Sequence, residues 1–236
     1  MLEIKNVTKK YGNKVAINNI SFTVDDGEIF GFVGPNGAGK TTLIKAIVGI
    51  HGIDEGDILI NGTSILEDDI SCKSITAYIP DNPDIYLNLK GIEYLNFISD
   101  IYSVPSEERT VLIQKYADIF DLTPNLGDLI SSYSHGMRQK LVIISALIHK
   151  PKLLVLDEPF VGLDPKSSKI LKDIMKELTI NKTTIFFSSH VLEVVEKLCD
   201  RVGIINEGKI IALDNTKNLK GSEDLEKIFL KLTNEK

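Results

Sequence analysis

An apolar run, a glycine-rich turn and a helix follow one another near the start of this chain, and no other stretch restricts its fold so tightly. Glu28 to Val33 reads as a short buried strand, and Thr41 to Gly49 reads as a helix. Between them Gly34-Pro35-Asn36-Gly37-Ala38-Gly39-Lys40-Thr41 fits G-x-x-x-x-G-K-[S/T]. Glycines allow successive backbone N–H groups to turn inward around phosphate oxygens, where a side chain would collide. The helix beginning at Lys40 adds the positive end of its dipole. Lys40 supplies a point charge for the β- and γ-phosphates, and Thr41 offers a hydroxyl to a Mg²⁺ that bridges them. Residues Gly34 to Thr41, with Thr42 behind them, are therefore candidate nucleotide-binding residues. The spacing of Gly31, Gly34, Gly37 and Gly39 does not give the G-x-G-x-x-G of a dinucleotide fold. Asn181-Lys182 continues as Thr183-Thr184, so the guanine-reading N-K-x-D is absent.

Composition limits the alternatives. The 236 residues are 43% apolar and 25% charged, which excludes wholesale disorder and leaves ample chain for a core. A net charge of −6 argues against binding nucleic acid through a general basic surface. Cys72 and Cys199 lie far apart and match no metal spacing, which argues for a reducing compartment. A membrane-spanning helix needs about 20 apolar residues. The longest comparable run, Leu141 to Ile148, is only eight residues long and contains Ser145. The N-terminus has no apolar signal-peptide core, so the chain is expected neither to cross a membrane nor to be exported.

The first 25 residues suggest two strands around a turn at Tyr11-Gly12-Asn13, with Ala16, Asn18, Ile20, Phe22 and Val24 on one face. Asp57 to Ile60 reads as a strand stopped by the turn dipeptide Asn61-Gly62. Residues 84–150 read as helices broken at Pro105 and at Thr123-Pro124, with Leu112, Tyr116, Ile119 and Phe120 forming a buried stripe. Strand signals return at Leu153 to Leu156, Thr183 to Ser189 and Val202 to Ile205. Pro165 suits the first turn of a helix reaching about Thr179, and Asn206 to Lys209 reads as a hairpin turn. The pattern is an α/β core interrupted by a helical insert.

Leu153-Leu154-Val155-Leu156-Asp157-Glu158 is an apolar strand that ends in two carboxylates. Catalytic groups collect at the C-terminal ends of such strands. Asp157 at the strand tip can bind Mg²⁺ through water, and Glu158 is placed to take a proton from an attacking water.

Together with the phosphate loop, these features resemble the nucleotide-binding subunit of an ABC transporter, and the resemblance covers nearly the whole chain. Tyr11 matches the aromatic residue on which adenine stacks. Tyr133-Ser134-His135-Gly136-Met137 occupies the signature position, where Ser134 can cap a helix and Gly136 leaves room for an oxygen at its first turn. Gly162-Leu163-Asp164 matches the loop that touches the partner subunit, and His190 matches the switch histidine.

The resemblance implies an α/β P-loop NTPase (RecA-like) core with an antiparallel β subdomain at the N-terminus and a helical subdomain insert. One nucleotide-binding domain would span 1–236, with 1–83 and 151–236 as the ATP-binding core and 84–150 as the helical subdomain. It also implies an Mg²⁺-dependent ATPase that drives a separate membrane permease. Such a subunit is peripheral on the cytoplasmic face of the membrane and binds no nucleic acid. Ser134 and Gly136 would then cover ATP on a second nucleotide-binding subunit, the same chain or a relative.

Two departures stand out. Tyr133, His135 and Met137 replace the usual leucine, glycine and glutamine of the signature, and His135 is expected to face solvent. Asp81 stands where the family has a glutamine, one carbon shorter and anionic, and becomes a further candidate metal ligand beside Thr41 and Asp157. Ser-x-Gly-Met followed by Arg138, Gln139 and Lys140 resembles the ABC-2-like exporter branch, as does the stretch from Asp84 to Phe97. Tyr86, Leu87, Tyr94 and Phe97 are candidate permease contacts, with the core as the competing place for Tyr94 and Phe97. The alternatives are a soluble ABC protein of translation or DNA repair, for which this length is short, and an ATP-binding regulatory subunit of weak ATPase activity.

Overall fold

A computed structural model describes residues 1–220 and 224–233. The expected single span 1–236 therefore includes residues 221–223 and 234–236, which lie outside the described residues. Strands β1 (Leu2–Tyr11) and β2 (Lys14–Val24) are joined at Gly12-Asn13, and β3 (Ile29–Val33) leads into α1 (Lys40–Ile47). Next come β4 (Glu55–Ile60), β5 (Thr63–Ser64), α2 (Asp69–Ser74) and β6 (Thr76–Ile79). Helices α3 (Gly91–Ile101), α4 (Ser106–Ile119) and α5 (His135–Ile148) fill the insert. The chain continues through β7 (Leu153–Asp157), α6 (Pro165–Ile180), β8 (Thr184–Ser189), α7 (Leu192–Leu198), β9 (Arg201–Asn206), β10 (Lys209–Asn215), α8 (Thr216–Lys220) and α9 (Leu225–Thr233).

Two sheets result. One is antiparallel, in the order β2-β1-β4-β5. The other has the order β10-β9-β3-β8-β7-β6 and is parallel except at its β9–β10 edge. Alternation along the central strands divides their side chains between two cores. Phe30, Phe32, Leu153, Val155 and Phe186 point toward the antiparallel sheet and α1. Ile29, Val33, Leu154, Leu156, Ile185 and Phe187 point toward the helices. Stacked rings mark the first core, with Phe22–Phe30 centroids 5.2 Å apart and Phe30–Phe186 centroids 5.6 Å apart. The insert contributes Tyr94, Leu95, Ile113, Tyr116 and Phe120 to the second core, so it has no separate one.

Most strands and helices lie where the periodicity placed them. One correction concerns β2. The register between β1 and β2 shifts between the pairs Val7↔Ile20 and Lys9↔Ile17, and Asn19 takes φ 52°. That bulge moves the inward face from Ala16 and Asn18 to Ile17, while Ile20, Phe22 and Val24 stay inward. In the helical stripe Tyr116 and Phe120 are buried, Leu112 and Ile119 are half-buried, and Ile113 and Ala117 complete the face. The long apolar run is α5, packed against β6, α3 and α4. Strand β6 and helices α2, α7 and α8 are too short to carry a comparable sequence signal, and the amphipathic α9 is an addition to the expected elements.

Tyr133, the departure at the first signature position, has a packing role. It is buried, and its hydroxyl donates to the Asn125 carbonyl at 2.6 Å. The same hydroxyl occupies the space a side chain at Gly91 would need, so it locks the start of α3 to the approach to α5. Overpacking of this kind costs roughly 1–3 kcal/mol, and a lost buried hydrogen bond about 1 kcal/mol. Gly91→Ala and Tyr133→Phe should each lower the unfolding free energy measured in urea. The double variant should lose less than the sum of the two, because removing the hydroxyl makes room for the methyl. Strict additivity would show that the two do not share this space.

Candidate functional site

The turn after β3 is shaped by contacts that exclude side chains. Gly39 has φ 112°, and a Cβ there would lie 2.6 Å from the Ala16 carbonyl oxygen. The chain thereby bends straight into α1, whose first N–H groups have no partner within the helix. Lys40 is buried, and its Nζ donates to the carbonyls of Gly34 at 2.6 Å and Pro35 at 3.2 Å. Burial pulls its pKa down, opposed by the charges of Glu158 and Asp157. Two of its three protons are committed to the loop, which leaves one for a ligand.

The carboxylates meet this loop from the strand tips. Asp157 ends β7 almost fully buried, and its Oδ1 accepts a 2.5 Å hydrogen bond from the Ser188 hydroxyl on β8. Its Oδ2 is buried and has no hydrogen-bond partner among the described residues. Burial raises the pKa of Asp157, the Ser188 hydrogen bond and the neighbouring Thr41 hydroxyl lower it, and the negative charges of Asp81 and Glu158 raise it again. A buried carboxylate oxygen without a partner, beside a threonine hydroxyl and two further acids, suits a divalent cation. No cluster of three or more His, Cys, Asp or Glu set to hold a metal occurs among the described residues. A cation here would need ligands from a bound nucleotide, which is how Mg²⁺ is commonly held.

Glu158 follows in the left-handed region, with φ 48°, an uncommon conformation for a residue with a side chain. Its N–H donates to the Ser188 hydroxyl at 3.1 Å. Its Oε2 accepts from the His190 N–H at 3.2 Å and lies 2.9 Å from His190 Nδ1. Glu158 is largely covered, whereas the His190 ring is more than half exposed.

One cleft gathers Tyr11, Asn36, Gly37, Gly39, Lys40, Thr41, Thr42, Asp81, Asp157 and Glu158. The adjoining cavity adds Gly34, Pro35 and His190. Ala38 is buried behind the loop. Tyr11 ends β1 with its ring about half exposed, edge-on to His51 at 6.1 Å, with Lys9 Nζ 5.6 Å from the ring centre.

Ser134 and Gly136 line neither cavity. Ser134 caps α5 by accepting from the Met137 N–H at 3.2 Å. Gly136 sits in the first turn, where a Cβ would press on the Gly162 carbonyl at 3.0 Å. Asp164, capping α6, accepts from the Ser167 N–H at 2.8 Å and pairs with Lys140 of α5 at 3.1 Å. Bonds from Ser167 and Lys140 hold its carboxyl well below the usual range. His135 is exposed as expected, with one edge of its ring over Gly162.

Of the candidate permease contacts, Tyr94 is in the core and is withdrawn as a surface contact. Tyr86, Leu87 and Phe97 are exposed, with Tyr86 and Phe97 edge-to-face at 5.7 Å. Ser188 was not singled out by its sequence. It is one of several hydroxyls near a strand end, and only the β7–β8 register puts it against Asp157.

The model of the ABC transporter family matches residues 17–161. The ABC transporter ATP-binding protein YhcH of Bacillus subtilis, itself uncharacterized, is 39% identical over 219 residues, covering 92% of this chain and 71% of that protein. The lantibiotic transport ATP-binding protein SrtF of Streptococcus pyogenes is 35% identical over 233 residues, covering 97% of this chain and 96% of that protein. A solved structure described as an ATP-binding subunit of an ABC transporter superposes with a TM-score of 0.95 at 30% identity, over 99% of each chain. The fold thus agrees with the comparisons, and the chain belongs to the ABC transporter family as one of its ATP-binding, ATP-hydrolysing cassettes.

Proposed function

We propose that this cassette hydrolyses ATP to power a separate membrane permease in export, working at the cytoplasmic face of the membrane as one of a pair of cassettes. The observation that carries this reading is the convergence of Lys40, Asp157 and Glu158 on one cleft, with His190 beside Glu158 in the adjoining cavity. Among the described residues no helix is long and apolar enough to cross a membrane, so any spanning part would be supplied from outside them. The likeness to a lantibiotic transport protein supports export. The single nucleotide-binding domain, with 84–150 as its helical subdomain, is part of the same proposal.

In this reading Tyr11 stacks on adenine, and the N–H groups from Gly37 to Thr42 surround the phosphates. Lys40 turns its remaining proton to the β- and γ-phosphates. Thr41, Asp157 through its free Oδ2, and Asp81 would hold Mg²⁺, which when bound offsets the phosphate charge and draws electron density from the γ-phosphorus. Glu158 takes a proton from water as the water oxygen attacks that phosphorus, and the bond to the leaving ADP breaks. His190 holds Glu158 in place and reaches toward the γ-phosphate. Ser134 and Gly136 present the start of α5 to ATP on the facing cassette, and the Tyr86, Leu87 and Phe97 surface meets the permease.

Two variants test these roles. Lys40→Ala should weaken ATP binding roughly tenfold to a hundredfold, since a hydrogen bond to a charged group contributes about 1.5–3 kcal/mol. Titration with a fluorescent ATP analogue reads this directly, and unchanged affinity would remove the loop from the nucleotide site. Glu158→Gln should slow turnover about 10²–10⁴-fold, the usual contribution of a general base. It should keep ATP bound and enrich the dimer on size-exclusion chromatography. Normal hydrolysis by this variant, assayed with the cognate permease, would show that another group accepts the proton.

A further inference from the structure

We infer that Ser188 is a positioning residue of the ATPase site, whose single hydroxyl sets both the carboxylate that meets the cation and the one that activates water. The inference rests on the hydrolytic reading above. Ser188 is fully buried in β8 and is the register partner of Asp157 in β7. The Glu158 backbone N–H can only donate, so at 3.1 Å it takes a lone pair of the hydroxyl. The one hydroxyl proton is then free for Asp157 Oδ1, at 2.5 Å. With Asp157 ionised, the direction of both bonds follows.

Each bond has a consequence for the cleft. Engaging Oδ1 from the β8 side leaves Oδ2 as the free oxygen of Asp157, buried and unpartnered, in the cleft shared with Thr41 and Asp81. Anchoring the Glu158 N–H steadies that residue at φ 48°, the geometry in which its Oε2 reaches His190 Nδ1 at 2.9 Å. An alanine at 188 would leave Asp157 free to turn and the Glu158 turn without its anchor. The same atom therefore joins the cation half of the site to the water half.

Calorimetric titration with an ATP analogue bridged by a β,γ-imido group, in Mg²⁺ and separately in EDTA, tests this. Ser188→Ala should bind the analogue about tenfold more weakly in Mg²⁺ and within about twofold of wild type in EDTA. In an Asp157→Asn background Ser188→Ala should add no further loss, because it acts through that carboxylate. At saturating Mg²⁺ its kcat should remain depressed, through Glu158. Equal losses with and without Mg²⁺, or losses additive with Asp157→Asn, would overturn the inference. Ser188→Thr and Ser188→Val form a nearly isosteric pair for the case in which alanine prevents folding. The threonine should keep the Mg²⁺ dependence and the valine lose it, and identical behaviour of the two would refute a role for the hydroxyl. If the wild-type protein itself bound the analogue without any Mg²⁺ dependence, the hydrolytic reading would fail first.

Discussion

Asp157 and Ser188 face each other across the parallel β7–β8 pair, and the 2.5 Å hydrogen bond between their side chains depends on that register. A slip of one residue in either strand would turn its side chain to the opposite face of the sheet, away from its partner. The next pairing, β8 with β3, sets Ser189 beside Val33, so the phosphate loop and His190 leave the sheet side by side. The cleft is in this sense a readout of three parallel strands held in one alignment.

What holds the alignment is burial on both faces. Every residue of β3, β7 and β8 is buried, and alternate side chains enter different cores. Burial on this scale is the main favourable term in folding and tolerates little displacement, because the interior is close-packed. The ring stack of Phe22, Phe30 and Phe186 ties the antiparallel sheet to this framework. Through β1 it also carries Tyr11 to the rim of the cleft. Against that rigidity, the site itself is locally unfavourable. Lys40 is charged and buried, Asp157 Oδ2 has no partner, and Glu158 occupies a strained backbone region. A ligand that brought negative phosphates to Lys40 and a cation to Asp157 would relieve the first two.

The helical insert is neither a separate body nor an ornament. Its side chains complete the core beneath β6 and β7, and Tyr133 pins the start of α3 to the entry of α5. Ser134 and Gly136 lie just beyond that pin, at the exposed start of the same helix. The pair Lys140–Asp164 links this helix to the loop that follows Glu158. A movement of the insert would therefore be felt at the acidic strand tip through a charged contact and through shared packing.

The loop from Gly34 to Thr41 and the acids Asp157 and Glu158 were legible in the chain, because local backbone geometry and strand-end position dictate those residue types. Most strands and the three helices of the insert were legible for the same reason, since periodicity reports which face is buried. The bulge at Asn18-Asn19 and the short elements β6 and α7 were not, because they answer to neighbours far along the chain, and the choice between core and surface that the sequence left open for Tyr94 and Phe97 was settled by packing. The place of Ser188 belongs to the same class. Its residue type is unremarkable, and only the pairing of strands 31 residues apart gives its hydroxyl two carboxylate-bearing partners. Sequence alone determined which chemical groups the chain carries and the local turns that expose them. Tertiary structure decided which groups meet, because that depends on register and burial between segments that local preference does not link.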